Sequence, residues 1–290
     1  MNQPTWIEVN DVALRYDYRP GTGTTYVLLH EMGGSIESWR GVVRDLPADA
    51  GVLLYDQRGF GLSEKVRGDM TIAQHVADLL ALLDRLGITQ PVVLSGVAVG
   101  AGIAMAFSAR HPARVSHLLA MAPACGVASE RRAGAMEMAR RIADNGMRSE
   151  AAGLFDMAYP QSLRTDPARY ETYRAAWLSS DPFSLAAIYL MLATQDFDAD
   201  VAALPAATVM VGGTYDVLRP QAEIQRLAAL CPQAACIFAQ TGHFMQVNSP
   251  RFVAHALSAL PADAGRSAEQ SIRDYLDTPQ NFYGEHGPLR

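Results

Sequence analysis

The sequence predicts an α/β protein, a mostly parallel sheet with helices on both faces and a helical cap. Three observations carry that expectation. Short apolar runs rich in Val and Leu alternate with segments of helical period along most of the chain. One stretch, Pro91 to Met105 (PVVLSGVAVGAGIAM), passes from a buried-strand pattern to an Ala- and Met-rich helical one between Gly96 and Gly100. The alternation breaks once, from about residue 126 to 200, and then resumes, as an insertion between two strands would make it do.

The bulk numbers fit one large core. The chain has 290 residues, of which 49% are hydrophobic and 19% charged. A net charge of −6 gives no reason to expect nucleic acid or an anionic membrane as partner. The opening MNQPTWIEVN lacks the basic and apolar regions of a signal peptide, and no run is long enough to span a bilayer. Cys125, Cys231 and Cys236 are odd in number and have no metal-ligand spacing. A reducing, cytoplasmic setting is therefore expected.

Taken in order, Trp6–Val9 and Val12–Tyr18 read as strands joined by a turn at Asn10-Asp11, and Tyr26–Leu29 as a buried third. The helical stretch Ile36–Asp45 precedes strand Val52–Tyr55, and Thr71–Leu86 has apolar residues at helical spacing. The strand from Val92 and its helix, which Pro112 ends, lead to strand Val115–Met121. Beyond the mostly helical, Arg- and Met-rich break come strand Ala207–Val211, helix Gln221–Leu230, strand Ala235–Ala239 and helix Pro250–Leu260. The expected organisation is a core of residues 1–125 and 201–260, a cap of 126–200 over the carboxyl ends of the strands, and a C-terminal extension, 261–290. Open α/β sheets bind ligands at those ends. Within the extension Ser267–Leu276 reads as a helix and Asn281–Arg290 as an extended terminus. Two placements are open for it: against the body, or against a second copy in a homodimer.

Five motifs now stand in order: LLHEMGGSIESW after the third strand, DQRGFGLS after the fourth, GVAVG at the strand–helix turn, GGTYDVLRP after the seventh and TGHFMQVNSP after the eighth. Together they resemble the α/β-hydrolase superfamily, over about Val12 to Leu260. The overall look is similar to small bacterial enol-lactonases and C–C bond hydrolases. In that family Gly-x-Ser-x-Gly is the nucleophile elbow, where strand and helix approach closely around a strained residue. Here the nucleophile position holds Ala98.

The resemblance implies Asp216 as triad acid and His243 as triad base, in the chain order elbow, acid, His. It also implies an oxyanion hole made of the backbone N–H groups of Val99 and Met32. It implies no cofactor, no metal and a small-molecule substrate. One more position departs from the family: Glu31 stands where Gly usually follows the loop His. A carboxylate there would oppose an oxyanion unless it turns away, so Glu31 is either a second proton-transfer group or a residue held by loop hydrogen bonds.

Other polar residues read as structural: Asp56 and Arg58 as braces of their loop, and His30, His75, His111, His117, His255 and His286 as packing or surface residues. Trp39 reads as core or pocket wall, Trp177 as cap. Cys125 is placed to line the pocket, in the wrong place for a nucleophile. The cap arginines Arg131, Arg132, Arg140, Arg141 and Arg148 are either a solvated face or a clamp for a substrate carboxylate.

Ala98 leaves three readings open. It is an engineered replacement of Ser in a hydrolase of small esters, lactones or C–C bonds. Alternatively it is natural, and His243–Asp216 acts as general base in lyase- or decarboxylase-type chemistry. Or the chain is a catalytically dead small-molecule-binding protein. In the first reading, loss of the nucleophile removes about 10⁶ in kcat, leaving roughly 10³–10⁴ over water from the hole and binding, as in an unrelated serine hydrolase.

Overall fold

The computed structural model describes residues 3–205, 207–261 and 267–278. Eight strands form one sheet in the order β1-β2-β4-β3-β5-β6-β7-β8. They are β1 (Thr5–Val9), β2 (Val12–Arg19), β3 (Thr25–Leu29), β4 (Gly51–Tyr55), β5 (Val92–Val97), β6 (Val115–Met121), β7 (Thr208–Gly213) and β8 (Ala235–Ala239). Only the pairings of β2, with β1 and with β4, are antiparallel; every other adjacent pair is parallel. All residues of β4, β5 and β7 are buried, which explains why none of them alternates apolar with exposed polar residues: helices cover both faces.

Around the sheet pack α1 (Arg40–Arg44), α2 (Ile72–Arg85) and α3 (Val99–Arg110). In α2 the residues Ile72, Val76, Leu79 and Leu83 fall on one buried stripe, and Thr71 caps the helix by accepting from the Gln74 N–H. The central helix α3 buries ten consecutive residues, so it shows no amphipathic period.

Between β6 and β7 the chain runs through α4 (Arg132–Asn145), α5 (Met147–Glu150), α6 (Ala152–Ala158), α7 (Pro167–Leu178), α8 (Pro182–Thr194) and α9 (Asp198–Ala202). Helices α7 and α8 each start with an Asp cap, Asp166 and Asp181, followed by Pro at the first helical position. Among the described residues no single helix is long and apolar enough to cross a membrane; α7 and α8 together reach that length but bend by 86°.

After β7 come α10 (Gln221–Leu230), then past β8 the short α11 (Met245–Asn248), α12 (Pro250–Ala259) and α13 (Ala268–Leu276). The helix expected at Ser267–Leu276 is thus α13, capped by the Ser267 side chain. It packs on the body: Tyr275 stacks on His255 at 4.2 Å, and Arg273 donates to the Cys236 carbonyl on β8 at 3.0 Å. The stretch Asn281–Arg290 lies outside the described residues.

The strand order also locates the site. Passing from β3, the sheet grows to one side through β4 and to the other through β5, so the loops leaving β3 and β5 diverge at a switch point. Leu29 pairs with Gly96, Val97 with Met121, and Met121 with Val211, so the carboxyl ends lie level. Segments carrying Glu31–Met32 and Ala98 thereby start side by side.

Candidate active site

The turn after β5 is built for close approach. A Cβ on Gly96 would come within 2.3 Å of the Gly100 backbone, and one on Gly100 within 2.4 Å of the His30 carbonyl. Only glycine lets α3 start this near its own strand and the β3 loop. Between them Ala98 adopts φ 53° and ψ −116°, a backbone conformation that side-chain-bearing residues rarely take. Hydrogen bonds hold it there: its N–H donates to the Met121 carbonyl at 3.0 Å, and its carbonyl accepts from Ala124 and Gly102. The strained elbow is therefore intact although its side chain is a methyl group.

His243 and Asp216 are brought together by zipping the loops after β7 and β8. The Thr214 N–H donates to the Ala239 carbonyl and the Tyr215 N–H to the Thr241 carbonyl. His243 Nδ1 lies 2.8 Å from Asp216 Oδ2, and both side chains are buried. Asp216 Oδ1 also accepts from the N–H groups of Leu218 (2.9 Å) and Arg219 (3.0 Å). Burial pushes the Asp216 carboxyl up. The charge and hydrogen bond of His243, with those two backbone donors, more than offset it, and its pKa lies below the usual carboxylate range. An ionised Asp216 fixes the imidazole with its proton on Nδ1, which leaves Nε2 as the nitrogen free for chemistry.

Val99 and Met32 line the same cavity. Val99 is the first helical residue of α3, where N–H groups have no intrahelical acceptor and the helix dipole adds positive potential. The peptide joining Glu31 and Met32 is oriented from its other side. The Glu31 carbonyl lies 2.6 Å from His30 Nδ1 and accepts from the Gly34 N–H at 3.0 Å, while His30 Nε2 accepts from the Gln57 N–H. A planar trans peptide then turns the Met32 N–H away from those partners.

The Glu31 side chain is fully engaged. It is 1% exposed; Oε1 accepts from Ser38 (2.9 Å) and from the Tyr173 hydroxyl, and Oε2 from Gln246 Nε2 at 2.5 Å. Burial, and then the Glu31 charge beside it, holds the Tyr173 hydroxyl well above its usual pKa. Tyr173 is the first of three donors, two on α7 and one just beyond it, that grip three successive residues of the β3 loop: Trp177 Nε1 donates to the Met32 carbonyl at 2.9 Å and Ser180 Oγ to the Gly33 carbonyl at 3.1 Å. Tyr173 and Trp177 lie one turn apart on α7 and Ser180 follows just past its end, so the last turns of α7 and the bend after it hold the loop. Phe155 and Phe244 complete the seam, each within 5.6 Å of the Tyr173 ring.

Ala98, Val99, Met32 and His243 line one cavity of about 530 Å³, with Glu31, Trp177, Tyr189 and Arg219 also in its wall. Its remaining lining is mostly apolar and comes largely from α4, α6 and α8 together with Phe244. A second space, about 720 Å³, lies on the other side of Tyr173 and Trp177 and contains neither Ala98 nor His243.

Several expected residues are placed elsewhere. Asp56 accepts from the N–H groups of Ile36 and Leu62 and lies 2.6 Å from Arg15, and Arg58 forms a two-bond pair with Asp78. Both brace the core. Trp39 is core. Cys125 does not line the cavity: its Sγ lies 3.6 Å from Met105 Sδ, and burial pushes the thiol up to about 12. Of the five cap arginines only Arg131 reaches the cavity; Arg140 pairs with Glu137 and Asp144, and Arg141 with Glu150. Sequence reasoning passed over Arg219, although it stands inside the quoted motif GGTYDVLRP. Among the described residues no group of three or more His, Cys, Asp or Glu side chains is placed to hold a metal ion.

Comparison with known proteins agrees with this geometry. The family model of the α/β-hydrolase fold matches residues 26–250, well over half of the chain. The chain belongs to that family. A 2-hydroxymuconate semialdehyde hydrolase of Pseudomonas putida is 29% identical over 222 residues, covering 73% of this chain and 77% of the relative. A 2-hydroxy-6-oxo-2,4-heptadienoate hydrolase, also from Pseudomonas putida, is 26% identical over 80% of this chain and 86% of its own length. The enol-lactonase of Burkholderia xenovorans LB400 superposes with TM-score 0.77 at 23% identity, over 83% of this chain and 94% of that one. The expectation of an α/β-hydrolase-fold enzyme is met: the family model is that of the α/β-hydrolase fold, and the two Pseudomonas relatives are hydrolases.

Proposed function

We propose that this protein acts on a small carbonyl compound, an ester, a lactone or a ketone with a cleavable C–C bond, and that His243–Asp216 moves the protons without a covalent bond to residue 98. The observation that carries this reading is the intact His243–Asp216 pair, whose His243 lines the cavity that also contains the strained elbow at Ala98. The hydrolase relatives support the substrate class.

For hydrolysis, His243 Nε2 takes a proton from a water as its oxygen attacks the carbonyl carbon. The oxyanion is stabilised by the N–H groups of Met32 and Val99, and the leaving group departs with the proton from His243. Asp216 stabilises the imidazolium throughout. Glu31, with three hydrogen bonds to its carboxylate, supports the hole by holding its loop instead of exchanging protons.

The test compares wild type, His243→Ala and Glu31→Gln on a panel of esters, lactones and β-keto acids. Turnover by wild type that falls at least 10²-fold in His243→Ala is expected. Turnover confined to β-keto acids would move the reaction to proton transfer at carbon. Binding without any turnover would leave a small-molecule-binding protein.

A further inference from the structure

Five side chains that grip the loop after β3 also line the second cavity, the space of about 720 Å³ behind Tyr173 and Trp177. Ser38, Tyr173 and Gln246 donate to the Glu31 carboxylate, Trp177 to the Met32 carbonyl and Ser180 to the Gly33 carbonyl. Among their lining residues the two cavities share only Trp177. A molecule seated in the second would touch the loop that carries Met32 without meeting Ala98 or His243.

Three side chains in this wall carry a buried polar atom with no hydrogen-bond partner among the described residues: Arg15, Arg169 and Gln246. Arg15 Nε is matched by charge, since it lies 2.6 Å from Asp56. Gln246 Oε1 is not, on a side chain that is 0% exposed. A carboxylate only accepts, so this amide must turn Nε2 to Glu31 and keeps its oxygen as a spare acceptor. Arg169 Nε is a spare donor; its Nη2 reaches Thr165 Oγ1 at 3.5 Å, and the Tyr159 hydroxyl near it has no partner either. Arg169 stands one turn before Tyr173 on α7, and Gln246 meets the Tyr173 hydroxyl on the Glu31 carboxylate. The spare donor and the spare acceptor thus flank one tyrosine. An unmatched buried donor or acceptor is costly, so the pair marks a place where a partner binds.

The wall holds no surplus charge for an ion. Arg15 and Arg40 both pair with Glu37, Arg15 also with Asp56, and Asp166 caps α7 beside Arg169. Glu31 lies directly behind Ser38, Tyr173 and Gln246. These guanidinium groups are balanced by the carboxylates around them, and an added anion would gain little.

We infer that the second cavity is a ligand site separate from that of Ala98 and His243, and that it takes a small uncharged planar amide or lactam. The ligand N–H donates to Gln246 Oε1 and its carbonyl accepts from Arg169 Nε, with its ring among Tyr173, Trp177 and Pro250. A donor on Oε1 polarises the Gln246 amide, strengthens its bond to Glu31 and so tightens the loop after β3. The binding does not depend on the proposed reaction; only the effect on Met32 bears on it.

Calorimetric titration with benzamide and nicotinamide tests it, each beside its methyl ketone and its carboxylate. Wild type is expected to bind at least one amide about 3–10-fold tighter than the ketone, which has no N–H for Gln246, and tighter still than the carboxylate. Gln246→Leu should bring amide and ketone level. Arg169→Met should weaken both by about 10–100-fold, since both accept from it, and it stands in if Gln246→Leu does not fold. Met138→Trp, which fills the other cavity, should change amide binding by less than about twofold. Hydrogen exchange read by mass spectrometry should slow several-fold in residues 31–35 when the amide is bound.

No preference for either amide in wild type overturns the inference, as does a preference that survives in Gln246→Leu. Amide binding lost in Met138→Trp but kept in Arg169→Met would place the ligand beside Ala98 and overturn it equally. Binding that leaves exchange in residues 31–35 unchanged would overturn the coupling to the loop. None of these results touches turnover by wild type and His243→Ala, by which the proposed function stands or falls.

Discussion

Removing the Tyr173 hydroxyl tests whether α7 holds the loop after β3. In the folded protein that hydroxyl donates to Glu31 Oε1, which also accepts from Ser38, while Gln246 serves Oε2. The carboxylate is 1% exposed, so water cannot replace a lost donor. A hydrogen bond to a buried charge contributes about 1.5–3 kcal/mol. Tyr173→Phe should therefore lower stability by about 2 kcal/mol, or Tm by roughly 4–8 °C in a domain of this size. Glu31→Gln should cost a similar amount, and the double variant should show a coupling of roughly 1–2 kcal/mol. Urea unfolding of the four proteins measures it. A coupling within about 0.5 kcal/mol of zero would refute the reasoning, because independent sites add to that precision. The same pair has an alkaline signature. The Tyr173 pKa is raised on folding, so its contribution is fully present below about pH 10 and is lost as pH rises further. Wild type should lose stability above pH 10 more steeply than Tyr173→Phe.

Three further outcomes follow from buried groups. The Asp216 carboxyl is lowered in the folded state, so its contribution is present above about pH 4 and is lost as pH falls below it. His243→Ala should flatten that acid limb in urea titrations at pH 2–5. Arg58→Ala leaves Asp78 buried and unpaired, and should cost about 3–5 kcal/mol by urea unfolding; a loss under 1 kcal/mol would contradict the pairing. Cys125, its thiol pushed up to about 12, should resist iodoacetamide at pH 8 in the native protein, and prompt alkylation read by mass spectrometry would place it at the surface.

Much of this was legible in the chain. Strands β6 and β8 and helix α10 coincide with the runs read from the sequence, because Gly, Pro and polar breaks bound them closely. Helix α3 was legible only through its neighbours: a helix buried all round carries no period. The pair His243–Asp216 was legible because each follows a strand at a fixed motif position. The direction of the Glu31 side chain was not, since its donors come from residues 38, 173 and 246, which only the folded chain brings together. Arg219 was hidden for a similar reason. It lines the cavity together with residues of α4, α6 and α8, which are distant in sequence. The cap arginines drew the eye instead, yet i,i+3 and i,i+4 partners on the same helix neutralise Arg140.

The central claim of the proposed function is that the His243–Asp216 pair stands beside a strained position that lacks only its oxygen. Covalent labelling by a fluorophosphonate, followed by intact-mass spectrometry, tests it most directly. Wild type should take no label at residue 98, Ala98→Ser one equivalent, and Ala98→Ser with His243→Ala none on the same timescale. An Ala98→Ser protein that folds normally yet stays unlabelled after prolonged exposure would contradict the account.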